Sequence, residues 1–155
     1  MDNWLSFLPF LAIVVAVGLS GAIFQPGDWY RRLDRPSWTP PSWVFGPAWT
    51  ALYVMIAIAG WIVWRVEGFS FAFAIWSLNI VLNAAWSWLM FGKRRIDLAL
   101  ADAAAMLVTI IIFIASARQN TPAAALLFIP YMLWVAFATA LTFSIWQRNR
   151  HLQRT

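Results

Sequence analysis

The sequence has no cysteine, one histidine and few charged residues. Only 11% of the residues are charged, whereas a soluble domain carries about 25%. So few charges cannot cover a water-facing surface, which excludes a soluble enzyme and a disordered regulator. The lack of cysteine excludes a disulfide-stapled domain and a cysteine-ligated zinc site. Because the single histidine, His151, follows the last apolar segment, we expect no Ser-His-Asp system and no metal site inside the membrane.

Long apolar runs are abundant instead, and 63% of the residues are hydrophobic. A helix needs roughly 20 apolar residues to cross the hydrocarbon core of a bilayer. Five stretches meet this requirement: about residues 4–24, 43–64, 69–91, 96–116 and 122–146. The flank of the first carries Asp2 and no Lys or Arg, so we expect a span there rather than a cleaved signal peptide. The predicted fold is an all-α membrane protein, a five-transmembrane-helix bundle forming one domain over residues 1–155.

Basic residues are distributed unevenly among the segments that join these spans. Nine lie in the loop 25–42, the turn 92–95 and the C-terminal tail, which five spans place on one side of the membrane. The other side has only Arg65 and Arg118. Because short cytoplasmic loops are rich in Lys and Arg, we expect a cytoplasmic C-terminus and an N-terminus outside. The net charge of +5 then reflects topology and attraction to anionic membrane lipid, and we expect no nucleic-acid binding.

Amides and tryptophans are the unusual side chains inside the spans. Asn79 and Asn83 are four residues apart and share one face of the third span. Two interpretations stay open for them, contact with a ligand and hydrogen bonding between helices. Tryptophan normally marks the membrane interface, but Trp49, Trp86 and Trp134 lie within spans. Indoles in a helical bundle form a flat aromatic cavity that suits a large planar apolar ligand.

Asp102 is the acidic residue farthest inside a span. It lies six residues into the fourth span, about 9 Å deep at helical rise. A carboxylate at that depth must be paired, protonated or water-facing. We expect Asp102 to have a structural role and either to pair with a neighbouring helix or to reach cytoplasmic water.

Several motifs have a specific order along the chain. Residues 36–53 read PSWTPPSWVFGPAWTALY, residues 82–86 read LNAAW, and residues 99–102 read ALAD. Pro130 and Tyr131 follow, with Trp134 three residues later. Together these motifs resemble the TspO/MBR family, the tryptophan-rich sensory proteins of bacteria and the translocator protein (peripheral-type benzodiazepine receptor) of mitochondria. The likeness extends over all five predicted helices.

The resemblance implies a five-helix bundle, usually a homodimer, with a pocket between helices that the first long loop closes. It implies a porphyrin ligand such as protoporphyrin IX or haem, and no obligatory cofactor. Most of the predicted ligand-binding residues match the family's pocket by position, and the rest are inferred from their place next to those residues. The full set is Trp38, Phe45, Trp49, Asn79, Asn83, Trp86, Trp134, Ala138 and Leu141. Trp49 and Trp134 also match the tryptophans tied to light-dependent porphyrin breakdown in bacterial members, and they are our candidates for a photochemical catalytic role.

The chain departs from the family pattern at a few positions. Asn79 replaces the usual Gln, Trp88 replaces a Pro, and Thr142 replaces an Asn. The cholesterol-recognition pattern requires a tyrosine where this chain has Phe143, so we do not expect sterol binding.

Four functions are compatible with the sequence. The leading hypothesis is an integral membrane porphyrin receptor or sensor in tetrapyrrole or stress regulation, located in a bacterial inner membrane. The second is an enzyme that breaks down porphyrin under light; no general base lies in the spans, so turnover would come from ligand photochemistry. The third is a transporter of porphyrin or sterol, although the inverted repeats typical of transporters are missing. The fourth is an accessory subunit of a photosynthetic pigment complex or a regulator of pigment biosynthesis.

Overall fold

The structure, a computed structural model that describes residues 3–153, contains five long helices. Asp2, and Arg154 of the C-terminal tail whose basic residues were counted above, lie outside the described residues. The long helices are α1 (Leu8–Ile23), α2 (Phe45–Glu67), α3 (Phe71–Ser87), α4 (Ile96–Ala117) and α5 (Pro122–Arg148). A 3₁₀ turn, Trp4–Phe7, precedes α1, and a π-helical turn, Trp88–Gly92, extends α3.

Five segments are long and apolar enough to cross a membrane. They are Trp4–Ile23, Ser42–Glu67, Phe71–Gly92, Ile96–Ala117 and Pro122–Arg148. Large apolar side chains on their outer faces are exposed, as a bundle surrounded by lipid requires. The prediction of an all-α bundle with five spans is therefore confirmed.

The largest error in the predicted boundaries lies at the end of α2. We predicted residue 64 as its end, whereas the helix continues to Glu67. Gly68 then adopts a φ of 63°, a conformation that glycine tolerates best, and its N–H donates to the Trp64 carbonyl at 2.9 Å. Ser70 begins the next helix as its N-cap, since its hydroxyl accepts the Phe73 N–H at 3.2 Å.

Helix packing brings α4 and α5 together along their lengths, with α3 against α4 and α2 against α5. Helices α2 and α3 approach closely at Gly60, where a Cβ atom would overlap the ring of Trp76. The Trp76 indole N–H donates to the Ile56 carbonyl at 2.9 Å. Trp76 is thus a packing residue whose polar atom is satisfied.

The long loop between α1 and α2 is hydrogen-bonded to, and packs against, the C-terminal end of α5. Asn149 is 2% exposed and pairs with the backbone of Asp34: its Oδ1 accepts the Asp34 N–H at 3.0 Å, and its Nδ2 donates to the Asp34 carbonyl at 2.8 Å. Leu33 beside it is buried in an apolar cluster with Leu141 and Ile145. The loop therefore covers the end of the bundle at which α5 ends.

Candidate ligand-binding site

An aromatic cluster lies where α2, α5 and the loop meet. The Trp49 and Trp134 rings are perpendicular, with centroids 6.3 Å apart. Phe45 meets Trp134 edge-on at 5.6 Å, and Phe137 contacts Trp134 at 5.8 Å. Trp38 from the loop meets Phe137 at 5.7 Å. These five residues form the aromatic cluster, and four of them were predicted as ligand-binding residues from three separate parts of the chain.

Helical spacing explains how these side chains come together. Phe45 and Trp49 are four residues apart at the start of α2, so they share a face. On α5, Trp134, Ala138 and Leu141 follow the same rule at intervals of four and three residues. Leu141 is 5% exposed and packs with the loop residue Leu33, so this face of α5 runs from the cluster to the covered end of the bundle.

The Trp134 indole is the one buried tryptophan donor without a partner among the described residues. Its Nε1 contacts no hydrogen-bond acceptor, although buried N–H groups in proteins are nearly always paired. The indole of Trp61, for comparison, donates to the Ser6 hydroxyl at 2.8 Å. A ligand in the aromatic cluster that offers an acceptor near Trp134 would satisfy this group.

Both predicted asparagines belong to a hydrogen-bond network that joins four helices. The Asn83 Nδ2 donates to the Tyr131 hydroxyl at 2.7 Å, and that hydroxyl donates to the Asn79 Oδ1 at 2.9 Å. The Asn79 Nδ2 donates to the Thr109 hydroxyl at 2.9 Å. The Tyr53 hydroxyl completes the network by donating to the Asn83 Oδ1 at 3.2 Å.

This network favours the helix-to-helix interpretation for Asn79 and Asn83, since the amide groups of both are occupied by protein partners. Their contact with a ligand stays a prediction. Tyr53, Thr109 and Tyr131 were not predicted as members of the site. A signal existed, because two of the three tyrosines fall within spans, where a phenol hydroxyl needs a partner.

The network and the aromatic cluster are continuous through Trp49. Its ring stacks on Tyr53 at 5.4 Å and meets Tyr131 edge-on at 6.4 Å. Trp86 lies elsewhere: its ring contacts Phe91 at 5.6 Å, and it packs between the main core and the Leu141 cluster. The structure therefore brings most of the predicted residues to one region and places Trp86 at its margin.

The side chain of Asp102 is buried in the first half of α4. Asp102 is 7% exposed, and its Oδ2 has no hydrogen-bond or ion-pair partner among residues 3–153. The described residues give no partner for this oxygen atom, and our expectation that Asp102 pairs with a neighbouring helix or reaches water stays a prediction. A buried carboxylate without a partner is far less costly when protonated.

Comparison with known proteins agrees with the architecture. A model of the TspO/MBR family matches residues 10–147. The chain is 35% identical to a tryptophan-rich sensory protein of Cereibacter sphaeroides, over 95% of this chain and 93% of the relative. It is 36% identical to the tryptophan-rich protein TspO of Archaeoglobus fulgidus, over 95% and 99%, and 33% identical to the human translocator protein, over 92% and 91%. Because the match covers nearly the whole chain, this protein belongs to the TspO/MBR family.

Proposed function

We propose that this membrane protein binds a porphyrin at the aromatic cluster and acts as a tetrapyrrole receptor or sensor. The observation that carries the proposal is the buried Trp134 indole N–H, which has no acceptor among the described residues. Aromatic rings surround it, so a ligand that reaches Trp134 must be largely apolar and must present an acceptor. A porphyrin meets both conditions, with a flat aromatic surface and carboxylate and pyrrole acceptors.

The two perpendicular indoles would give such a ligand one ring to stack on and one edge to meet. The single histidine, His151, is exposed in the C-terminal tail, away from the cluster. Since no histidine can then reach an iron atom in the cluster, we expect metal-free porphyrin to bind about as tightly as haem.

Binding is tested by titrating detergent-purified protein with protoporphyrin IX and following tryptophan quenching and the porphyrin absorbance. Stacking of an aromatic base on a side chain contributes about 1–3 kcal/mol. Phe at positions 49 and 134 keeps an aromatic face but loses the indole N–H. Trp49→Phe/Trp134→Phe should therefore weaken binding by about 10-fold, since 1.4 kcal/mol corresponds to a factor of ten.

The matched control is Trp4→Phe/Trp43→Phe, which removes two exposed indoles outside the aromatic cluster. We expect wild-type affinity from it. Absence of saturable quenching by the wild-type protein would contradict the porphyrin proposal. Equal losses in the two double variants would show that binding does not involve the aromatic cluster.

The enzyme hypothesis is tested with the same variants under illumination. If Trp49 and Trp134 donate electrons to excited porphyrin, bleaching should stop in Trp49→Phe/Trp134→Phe, because Phe is far harder to oxidise. Bleaching at the wild-type rate by porphyrin-saturated double variant would rule out this role. The bleaching would then be photochemistry of the bound porphyrin that does not depend on these two tryptophans.

We propose further that the protein is a homodimer in a bacterial inner membrane, with its C-terminus in the cytoplasm. The support for this orientation is the distribution of basic residues. The chain has no cysteine, so Arg32→Cys and Arg118→Cys each create a unique label site. An impermeant maleimide added outside intact cells should label position 118 and not position 32; the reverse pattern would invert the topology.

A further inference from the structure

A cleft opens at the loop-covered end of the bundle, apart from the aromatic cluster. Its volume is about 550 Å³, and it is lined by Asp28, Trp29, Arg32, Leu33, Arg94 and Leu152. A second cleft of about 200 Å³ adjoins it and shares Asp28, Trp29 and Arg94. These residues come from the loop, the turn between α3 and α4, and the segment after α5. The cleft is therefore formed by three parts of the chain that only the folded bundle brings together.

Two guanidinium groups give the cleft its chemistry. Arg32 and Arg94 lie on its wall, and Arg side chains present a planar donor set that matches the oxygens of a phosphate. Among the described residues that line the larger cleft, the acidic one is Asp28, and it lies 3.4 Å from the guanidinium of Arg31, which offsets its charge. The wall therefore favours an anion.

Arg94 also has an unusual backbone. Its φ of 55° makes it the single non-glycine residue with positive φ in the described chain. A side chain with a Cβ atom rarely adopts this conformation, and such outliers cluster at functional sites. Arg94 therefore adopts a backbone conformation in this turn that would cost a glycine less.

The position of the cleft indicates which anion it meets. Arg94 lies between Gly92 and Ile96, which end one membrane-spanning segment and begin the next. Cations stack on aromatic rings around the same end, with Arg35 over Tyr30 at 5.0 Å and Arg150 over Trp146 at 5.2 Å. Such pairs are typical of the headgroup region of a bilayer.

The cleft is also partly apolar. Trp29, Leu33 and Leu152 line it beside the two arginines. A site for free phosphate needs no such surface, whereas a phospholipid has glycerol and acyl groups next to its phosphodiester. We propose that the cleft binds the phosphodiester headgroup of an anionic phospholipid through Arg32 and Arg94, with its apolar part against Trp29 and Leu33.

The test is native mass spectrometry of the purified protein with added lipid. The probes are dioleoyl phosphatidylglycerol, dioleoyl phosphatidylcholine and inorganic phosphate. We expect the wild-type protein to retain phosphatidylglycerol in preference to phosphatidylcholine. Each basic side chain near an anionic lipid contributes about a fivefold factor, so Arg32→Gln/Arg94→Gln should reduce phosphatidylglycerol affinity about 30-fold.

The matched control, Arg35→Gln/Arg150→Gln, removes the same charge from the same end without altering the cleft wall. It should keep most of the affinity. Arg32→Gln alone leaves the strained turn unchanged, so a fivefold loss is measurable even if the double variant folds poorly. Equal losses of affinity in both double variants would show that the lipid is held by diffuse attraction to the basic surface and not by the cleft. Retention of inorganic phosphate without preference for phosphatidylglycerol would overturn the lipid assignment.

Discussion

Removing the hydroxyl of Tyr131 is a small chemical change that should lower the stability of the helix bundle substantially. Its side chain is fully buried, and its hydroxyl accepts a hydrogen bond from Asn83 and donates one to Asn79. Tyr131→Phe removes one oxygen atom and keeps the ring that packs on Phe128 and Trp49. The change therefore isolates the polar connection between α5 and α3.

The magnitude follows from the two bonds that are lost. Hydrogen bonds between transmembrane helices average about 0.6 kcal/mol and reach about 1.7 kcal/mol. The Asn79 Oδ1 and one Asn83 N–H would also lose a partner in the buried interior of the bundle, which moves the cost toward the upper value. We expect Tyr131→Phe to lower the free energy of unfolding by about 1–3 kcal/mol.

Reversible unfolding in mixed micelles, followed by circular dichroism, measures this free energy. Tyr30→Phe is the matched control, because the ring of Tyr30 stacks with Arg35 and its hydroxyl has no role in the network. Adding Asn79→Leu to Tyr131→Phe removes the stranded acceptor, so the double variant should lose less stability than the two single changes added together. If Tyr131→Phe unfolds with the wild-type free energy, the network does not contribute to stability. The same conclusion follows if the stability losses of the two single variants add up fully in the double variant.

Three further changes test separate features of the fold. Gly60→Ala should cost about 1–3 kcal/mol of unfolding free energy because the new methyl overlaps the Trp76 ring, whereas Gly46→Ala, with open space around it, should cost far less. Asn149→Leu should speed amide hydrogen exchange in the loop 25–41, while Gln147→Leu should not; equal exchange in both variants would show that Asn149 does not hold the loop. Asp102→Asn should keep the unfolding free energy within about 0.5 kcal/mol at neutral pH, since no hydrogen bond of Oδ2 is lost, and a loss above about 1 kcal/mol would reveal a partner.

The membrane spans could be predicted from the sequence because each is identified by residues that are adjacent in the chain. A run of about 20 apolar residues predicts a span whatever it packs against. The predicted end of α2, residue 64, is three residues early because the charged Arg65 was assigned to the segment that joins two spans. A charged side chain can remain in a helix at a membrane boundary, and Arg65 does so by stacking over Trp61 at 4.9 Å.

Pairing between distant residues could not be predicted in the same way. Asn79 and Asn83 stood out as polar residues in an apolar helix, but nothing in their own segment identifies Tyr131, which is 52 residues from Asn79. The sequence likewise does not identify a partner for Asp102. Depth within a span can be counted along the chain, whereas the presence of a partner depends on how neighbouring helices are rotated.

If a ligand binds at the aromatic cluster as proposed, the attachment of the loop affects how it enters. Trp38 contacts Phe137 from the loop, so entry from this end requires the loop to lift. The ion pair between Arg148 and Asp34 at 3.5 Å is exposed and adds little resistance. Burial of Leu33 contributes about 1.5–3 kcal/mol, and the two Asn149 bonds to Asp34 about 0.5–1.5 kcal/mol each.

Together these contacts favour the closed loop by at most about 2.5–6 kcal/mol, because the conformational entropy that a lifted loop regains offsets part of their contribution. At 1.4 kcal/mol per factor of ten, the upper value of about 6 kcal/mol corresponds to roughly one lifted molecule in twenty thousand, so the lifted fraction is at least that large. A bulky planar ligand would then associate slowly through this end, in proportion to the open fraction. Since the Asn79–Tyr131 network does not involve the loop, lifting the loop would admit the proposed ligand to Trp49 and Trp134 without breaking the hydrogen bonds that join their helices to the bundle.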